Sequence, residues 1–106
     1  MRKDPVTKFF EERNTAIERM GEDIEFKKQS LAWMVRADQY KYTYNFTWMG
    51  RPIIKFPADM IIQQELMWKL QPDLIIETGI AHGGSIVFSA SMMEMMGING
   101  EVVAVD

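Results

Sequence analysis

The chain has 106 residues, enough for one small domain with a modest core. Hydrophobic residues make up 47% and charged residues 25%, an ordinary balance for a soluble globular protein. The formal net charge of −3 gives no global attraction to nucleic acid or an anionic membrane, and the absence of cysteine excludes disulfides, cysteine–zinc sites and a thiol nucleophile.

A cysteine-free chain fits a reducing compartment, so a cytoplasmic location is expected. No segment approaches the ~20 apolar residues of a membrane span. The first residues, MRKDPVTKFFEERN, have no apolar core long enough for a signal peptide.

Asp4-Pro5 reads as a helix start, with Asp4 as N-cap and Pro5 at the first helical position. Val6, Phe9, Phe10, Ile17 and Met20 follow at helical spacing, and Gly21 is the expected stop. A second helical pattern runs from Asp23 to Ala37. Ile24, Phe26, Leu31, Trp33, Met34 and Val35 supply its apolar side, and the charges of both helices read as solvated faces. Residues 1–40 thus form a helical N-terminal extension.

Residues 41–57 form an aromatic arm and connector. From Tyr40, the aromatics Tyr42, Tyr44, Phe46 and Trp48 alternate with Lys41, Thr43, Asn45 and Thr47. That period predicts a short strand or an extended arm with one aromatic face. Such a face suits a core edge, and it also suits closure over a substrate or docking of a second subunit. Met49-Gly50-Arg51-Pro52 is a turn, and Ile53 to Pro57 is an extended connector.

Residues 58–106 carry an α/β pattern. ADMIIQQELMWKL is the clearest amphipathic helix, with Asp59 near its positive end and Lys69 near its negative end. Ile61, Ile62, Leu66 and Trp68 are expected to face the sheet, while Asp59 and Glu65 face solvent. Gln71-Pro72-Asp73 ends this helix.

The apolar run Leu74-Ile75-Ile76 then enters Glu77-Thr78-Gly79, and Gly83-Gly84-Ser85 opens a helix over Ile86 to Gly97. Met92, Met93, Met95 and Met96 crowd that helix as flexible core filler. Glu101 to Asp106 is a second buried strand ending in a carboxylate. A strand, a glycine-rich turn and a helix make the outline of a nucleotide-type site. A parallel second strand would bring Asp106 to the sheet edge at Gly79, where a carboxylate can accept two hydrogen bonds from ribose hydroxyls. Glu77 suits a ligand ammonium or a cap on nearby N–H groups. Gly83 and Gly84 suit close helix packing, and Ser85 suits an N-cap. His82 is the lone histidine and reads as a loop residue. Arg51 and Lys55 suit an anionic substrate or a plain surface.

The run from Phe46 to Asp106 resembles the cephalosporin hydroxylase family, whose fold is that of class I S-adenosylmethionine-dependent methyltransferases. The resemblance rests on W-x-G at Trp48 and Gly50, K-x-P-x-D at Lys55, Pro57 and Asp59, the PDLIIETG block, the GGS block and the closing VD. It implies the start of a Rossmann-like sheet and an O-methyltransferase acting on a hydroxyl of a small molecule or sugar. It also implies that Glu77, Thr78 and Gly79 lie against the methionine part of S-adenosylmethionine. Gly83, Gly84 and Ser85 match the part of the turn that starts the helix, and Asp106 matches the acid that holds the ribose. The family's metal-binding carboxylates and catalytic base come after the second strand. Any Mg2+ would therefore bind through residues not present here, and no metal ligand or catalytic residue is assigned.

The sheet predicted here is incomplete, since parallel strands need cover on both faces. An N-terminal part of a longer protein is therefore expected, inactive by itself and oligomeric in the whole. Two other readings compete. A nicotinamide-dependent oxidoreductase wants G-x-G-x-x-G with an acid ~20 residues on, whereas Asp106 follows Gly79 by 106 − 79 = 27 residues. A truncated interaction module would pair its helices and tyrosine arm with itself or a partner.

Overall fold

Two aspartates set the starts of the first two helices in the computed structural model, which describes residues 2–106. Asp4 accepts the Thr7 N–H at 3.1 Å and caps α1, Pro5–Glu22, with Pro5 in its first turn as expected. Gly21 does not stop this helix. It lies inside α1, and the break comes at Asp23, whose extended backbone (φ −84°, ψ 94°) ends one helix and begins the next. The Asp23 carboxylate accepts the Phe26 N–H at 2.9 Å and caps α2, Ile24–Asp38. Asp23 serves both helices because the short acidic side chain satisfies N–H groups that the turn itself leaves open. Neither helix buries a residue. Val6, Phe9, Phe10, Ile17 and Met20 share one face of α1 and stay exposed.

The second compact unit is Lys41–Asp106. It opens with a 3-10 helix over Tyr42–Asn45, where alternation predicted a strand or extended arm. Lys41 takes a left-handed backbone (φ 50°), and the Asn45 side-chain amide donates to the carbonyls of Lys41 at 2.8 Å and Tyr42 at 3.2 Å. These local bonds close a turn that aromatic periodicity does not report. Only Phe46–Trp48 forms a strand, β1, paired antiparallel with β2, Arg51–Ile53. Met49 (φ 49°) and Gly50 (φ 81°) form the two-residue loop, and two positive φ values are the mark of a type I′ turn. The turn is thus shorter than expected, since Arg51 and Pro52 belong to the strand. Pro52 pairs with Thr47 at the position where an alternating ladder has no bond, so its missing N–H costs nothing there.

Helix α3, Pro57–Leu70, ends at Gln71, whose left-handed backbone lets its N–H reach the Met67 carbonyl at 2.8 Å. Strand β3, Leu74–Thr78, follows, then α4, Gly84–Met96, and β4, Glu101–Val105. The two strands pair in parallel from Leu74 opposite Glu101 to Thr78 opposite Val105, as expected for a crossover through a helix. Gly97 ends α4 in the left-handed conformation, with the Ile98 N–H reaching back to the Met93 carbonyl at 2.9 Å.

Helix α4 is the hub. It touches both hairpin strands, α3 and β4. The core is Ile53, Met67, Phe88, Met92 and Met93, with Phe46, Trp48, Met60, Ile75, Met96, Ile98 and Val102 packed around it. Of the methionine run, Met95 is exposed and the other three join the core, so the core-filler reading holds for three of four.

Helix α3 departs from its expected orientation. Its less exposed positions are Met60, Gln63, Gln64, Glu65 and Met67. Met60, Gln63, Gln64 and Met67 are spaced i, i+3, i+4, i+7, and Glu65 beside them is half-buried where a solvent-facing side chain was expected. Ile61, Ile62, Leu66 and Trp68 remain exposed instead of facing the sheet. The reason is polar. Gln63 donates to Ser89 on α4 at 2.9 Å, and Ser89 is 1% exposed, so the glutamine face must turn inward to satisfy that hydroxyl.

Candidate functional site

The site is the turn between β3 and α4, with the end of β4 beside it. The Gly79 N–H donates to the Val105 carbonyl at 2.8 Å and extends the parallel ladder one step past Thr78. Gly79 then takes φ 74°, a value at which a side chain is strained, and the chain leaves the sheet. The next N–H, that of Ile80, donates to the Asp106 carboxylate at 3.4 Å. The Gly83 N–H closes the turn onto the Ile80 carbonyl at 2.7 Å, and Gly83 (φ 84°) becomes the N-cap of α4. No side chain caps this helix end.

Asp106 therefore stands where the sequence placed it, beside Gly79 at the sheet edge. Glu77 pairs with Ala104 and shares with Ile75 the half-buried face of β3. No N–H of the described residues donates to Glu77, so the capping reading of that carboxylate has no support. Thr78 points to the opposite, exposed face. The turn brings Glu77, Gly79, Gly83 and Asp106 together, and it leaves Thr78 on the other side of the sheet.

Gly84 and Ser85 have different surroundings from those expected. Gly84 is buried at the start of α4, and the Pro52 carbonyl fills the place a Cβ would need. The close packing foreseen for this glycine is real, but its partner is the hairpin strand β2 rather than the parallel sheet. Ser85 lies inside the helix, so it is not the N-cap. Its hydroxyl has no hydrogen-bond partner among the described residues. His82 is exposed on the turn, as a loop residue.

The motif residues outside the turn hold the hairpin and α3 in place. Trp48 donates its indole N–H to Ser91 at 3.1 Å and meets the Phe88 ring edge-on at 4.9 Å. Ser91 in turn donates its single proton to the Val87 carbonyl at 2.6 Å. Lys55 donates to Gln63 at 2.7 Å, and Gln63 passes the chain of bonds to Ser89. Lys55 is thus half-buried and bound to Gln63, not the plain surface residue considered from sequence. Sequence reasoning missed Gln63 and Ser89, because a glutamine and a serine in apolar surroundings carry no periodic signal. It also missed that Arg51 lies over the turn, its guanidinium the nearest group to a Cβ placed on Gly83, at 4.0 Å. Gly50, flanked by two short runs with β-forming residues, was the available hairpin signal.

Residues 40–106 match the family model described as Rhamnosyl O-methyltransferase/CmcI. The chain belongs to this family. The resemblance read from the W-x-G, PDLIIETG and GGS blocks is borne out. A rhamnosyl O-methyltransferase of Mycobacterium leprae is 42% identical over 78 residues, which cover 68% of this chain and 34% of that protein. One of Mycobacterium tuberculosis is 42% identical over 78 residues, covering 68% of this chain and 32% of its own length. The chain thus spans about a third of the length of the curated relatives it matches. Among solved structures, a CmcI chain described with SAH superposes with a TM-score of 0.55 at 29% identity over 56% of this chain and 30% of that one. A second, described as Mg-SAM, gives 0.56 at 28% identity over 57% and 26%. The α/β fold expected from sequence is therefore that of part of the CmcI fold, with two small, incomplete sheets.

Proposed function

We propose that this chain is the cofactor-binding part of an S-adenosylmethionine-dependent O-methyltransferase acting on a hydroxyl of a small molecule or sugar. The observation that carries the reading is the Gly79 turn tied to β4, with Asp106 beside it, in a chain of the Rhamnosyl O-methyltransferase/CmcI family. The residues fit the group. Asp106 offers a free carboxylate oxygen to ribose hydroxyls, Glu77 an unpaired carboxylate to the ammonium, and Gly79 and Gly83 a backbone with no side chain in the way. We also assign Thr78, Gly84 and Ser85 to the contact zone, Thr78 through its backbone at the strand end beside Gly79, Gly84 and Ser85 through the first turn of α4. The cofactor supplies an electrophilic methyl group. What these residues supply is a fixed position for it, and a hydroxyl held in line with that methyl reacts through proximity.

Among the described residues no group of three or more His, Asp or Glu side chains is placed to hold a metal ion. On this reading the ligands of a Mg2+ ion and the catalytic base belong to residues outside this chain. The 106 residues alone are on this reading inactive. The bare apolar faces of α1 and α2 support a homo-oligomer. The cytoplasm is the compartment we assign, because a chain without cysteine fits a reducing environment. The test is a titration of the protein as its source cell makes it. Binding of S-adenosylhomocysteine with no response to NADH is expected, and the reverse result would replace the reading with the oxidoreductase one.

A further inference from the structure

The hairpin delivers a cation to the cofactor turn. A two-residue loop sets Arg51 directly opposite Trp48. Trp48 is fixed on α4 by its bond to Ser91 and its edge contact with Phe88. The residue after Arg51, Pro52, packs its carbonyl against Gly84. The cross-strand partner of the arginine and the residue that follows it are therefore anchored, which fixes the backbone from which its exposed side chain extends. Its Nη2 comes within 4.0 Å of a Cβ built on Gly83, the last glycine before the helix.

Among the described residues this guanidinium has no ion pair. The recorded ion pairs, Lys3–Glu11 and Lys8–Glu12, both involve α1, and no hydrogen bond or ring contact engages Arg51 among the described residues. An arginine stays charged at any physiological pH, and its planar fork of donors matches a carboxylate with two parallel bonds. Across the turn the charges have a pattern. Glu77 precedes Gly79 at one end, and Arg51 stands at Gly83 at the other. An anion and a cation at the two ends of one turn complement a zwitterion.

We infer that Arg51 binds the α-carboxylate of the cofactor's methionine part, opposite the ammonium at Glu77. The inference rests on the cofactor reading above and adds to it a residue from the hairpin, an element outside the strand–turn–helix unit. The hairpin thus has a second use beyond covering the core, since it orients the amino-acid end of the ligand.

The test compares S-adenosylhomocysteine with its decarboxylated analogue by calorimetry, using the protein as its source cell makes it and its Arg51→Gln and Arg51→Lys variants. The wild type is expected to prefer the carboxylate-bearing ligand by about tenfold or more. Arg51→Gln is expected to erase that preference, with binding of the analogue unchanged, and Arg51→Lys to restore part of it. Equal weakening of both ligands by Arg51→Gln would overturn the inference, because the arginine would then act only through the hairpin. An unchanged preference would overturn it too, and would leave the cofactor reading standing. Failure of the wild type to bind either ligand would sink both.

Discussion

The Pro52 carbonyl occupies the space that a Cβ on Gly84 would need, and the Ile53 Cβ lies 2.8 Å from the same point. The start of α4 and strand β2 therefore meet backbone to backbone. Gly84→Ala must push the hairpin away, because the obstacle is main chain and not a flexible side chain. Overpacking of this kind costs about 1–3 kcal/mol. A lower urea midpoint is expected, together with weaker binding of S-adenosylhomocysteine as the hairpin shifts. An unchanged midpoint would mean that the hairpin moves freely, and the close contact would lose its role.

Gly21 is the counter-case. It lies within α1, with helical φ and nothing within 4 Å of an added Cβ. Gly21→Ala removes backbone freedom from the unfolded chain at no steric cost, so stability should rise by about 0.5–1 kcal/mol. Thermal unfolding followed at a helix wavelength checks this. A loss of stability would show that the glycine is needed as the break that Asp23 otherwise provides.

Much of the site was legible from local chemistry. Strand, turn, helix and strand followed in order because Leu74-Ile75-Ile76, Gly79 and Gly97 each act on their own few residues. The parallel pairing that puts Asp106 beside the turn followed from the crossover rule. What stayed hidden was decided by non-local contacts. The face of α3 is set by one buried hydroxyl, Ser89, 26 residues away from Gln63. Gly84 reads as a close-packing glycine, but that its partner is β2 shows only once the hairpin lies against it. Tyr42 and Tyr44 alternate with Phe46 and Trp48, yet the Asn45 amide bends that stretch into a 3-10 turn.

The bonds Lys55–Gln63–Ser89 predict a graded series. Ser89→Ala leaves the Gln63 amide short of one acceptor, which half-exposed water can replace, at about 1 kcal/mol. Gln63→Leu leaves both the Ser89 hydroxyl and the Lys55 ammonium without their partner, and costs more, about 2–3 kcal/mol. Urea unfolding of both variants gives the order. If Gln63→Leu were the milder change, apolar contact would outweigh the polar chain, and the inward turn of α3 would need another cause.

Asp106 separates binding from stability. Its bond to the Ile80 N–H is long, 3.4 Å, and exposed, so it adds little to the fold. Asp106→Asn keeps an acceptor oxygen for that N–H and removes the charge. A neutral acceptor holds ribose hydroxyls less strongly than a carboxylate does. Affinity for S-adenosylhomocysteine is expected to fall about tenfold, with the urea midpoint unchanged. Calorimetry and denaturation on the same preparation distinguish the outcomes. Unchanged affinity would remove Asp106 from the ligand site. A fall in the midpoint matching the loss of binding would make the carboxylate a brace for the turn, and the ribose contact would have to come from another group.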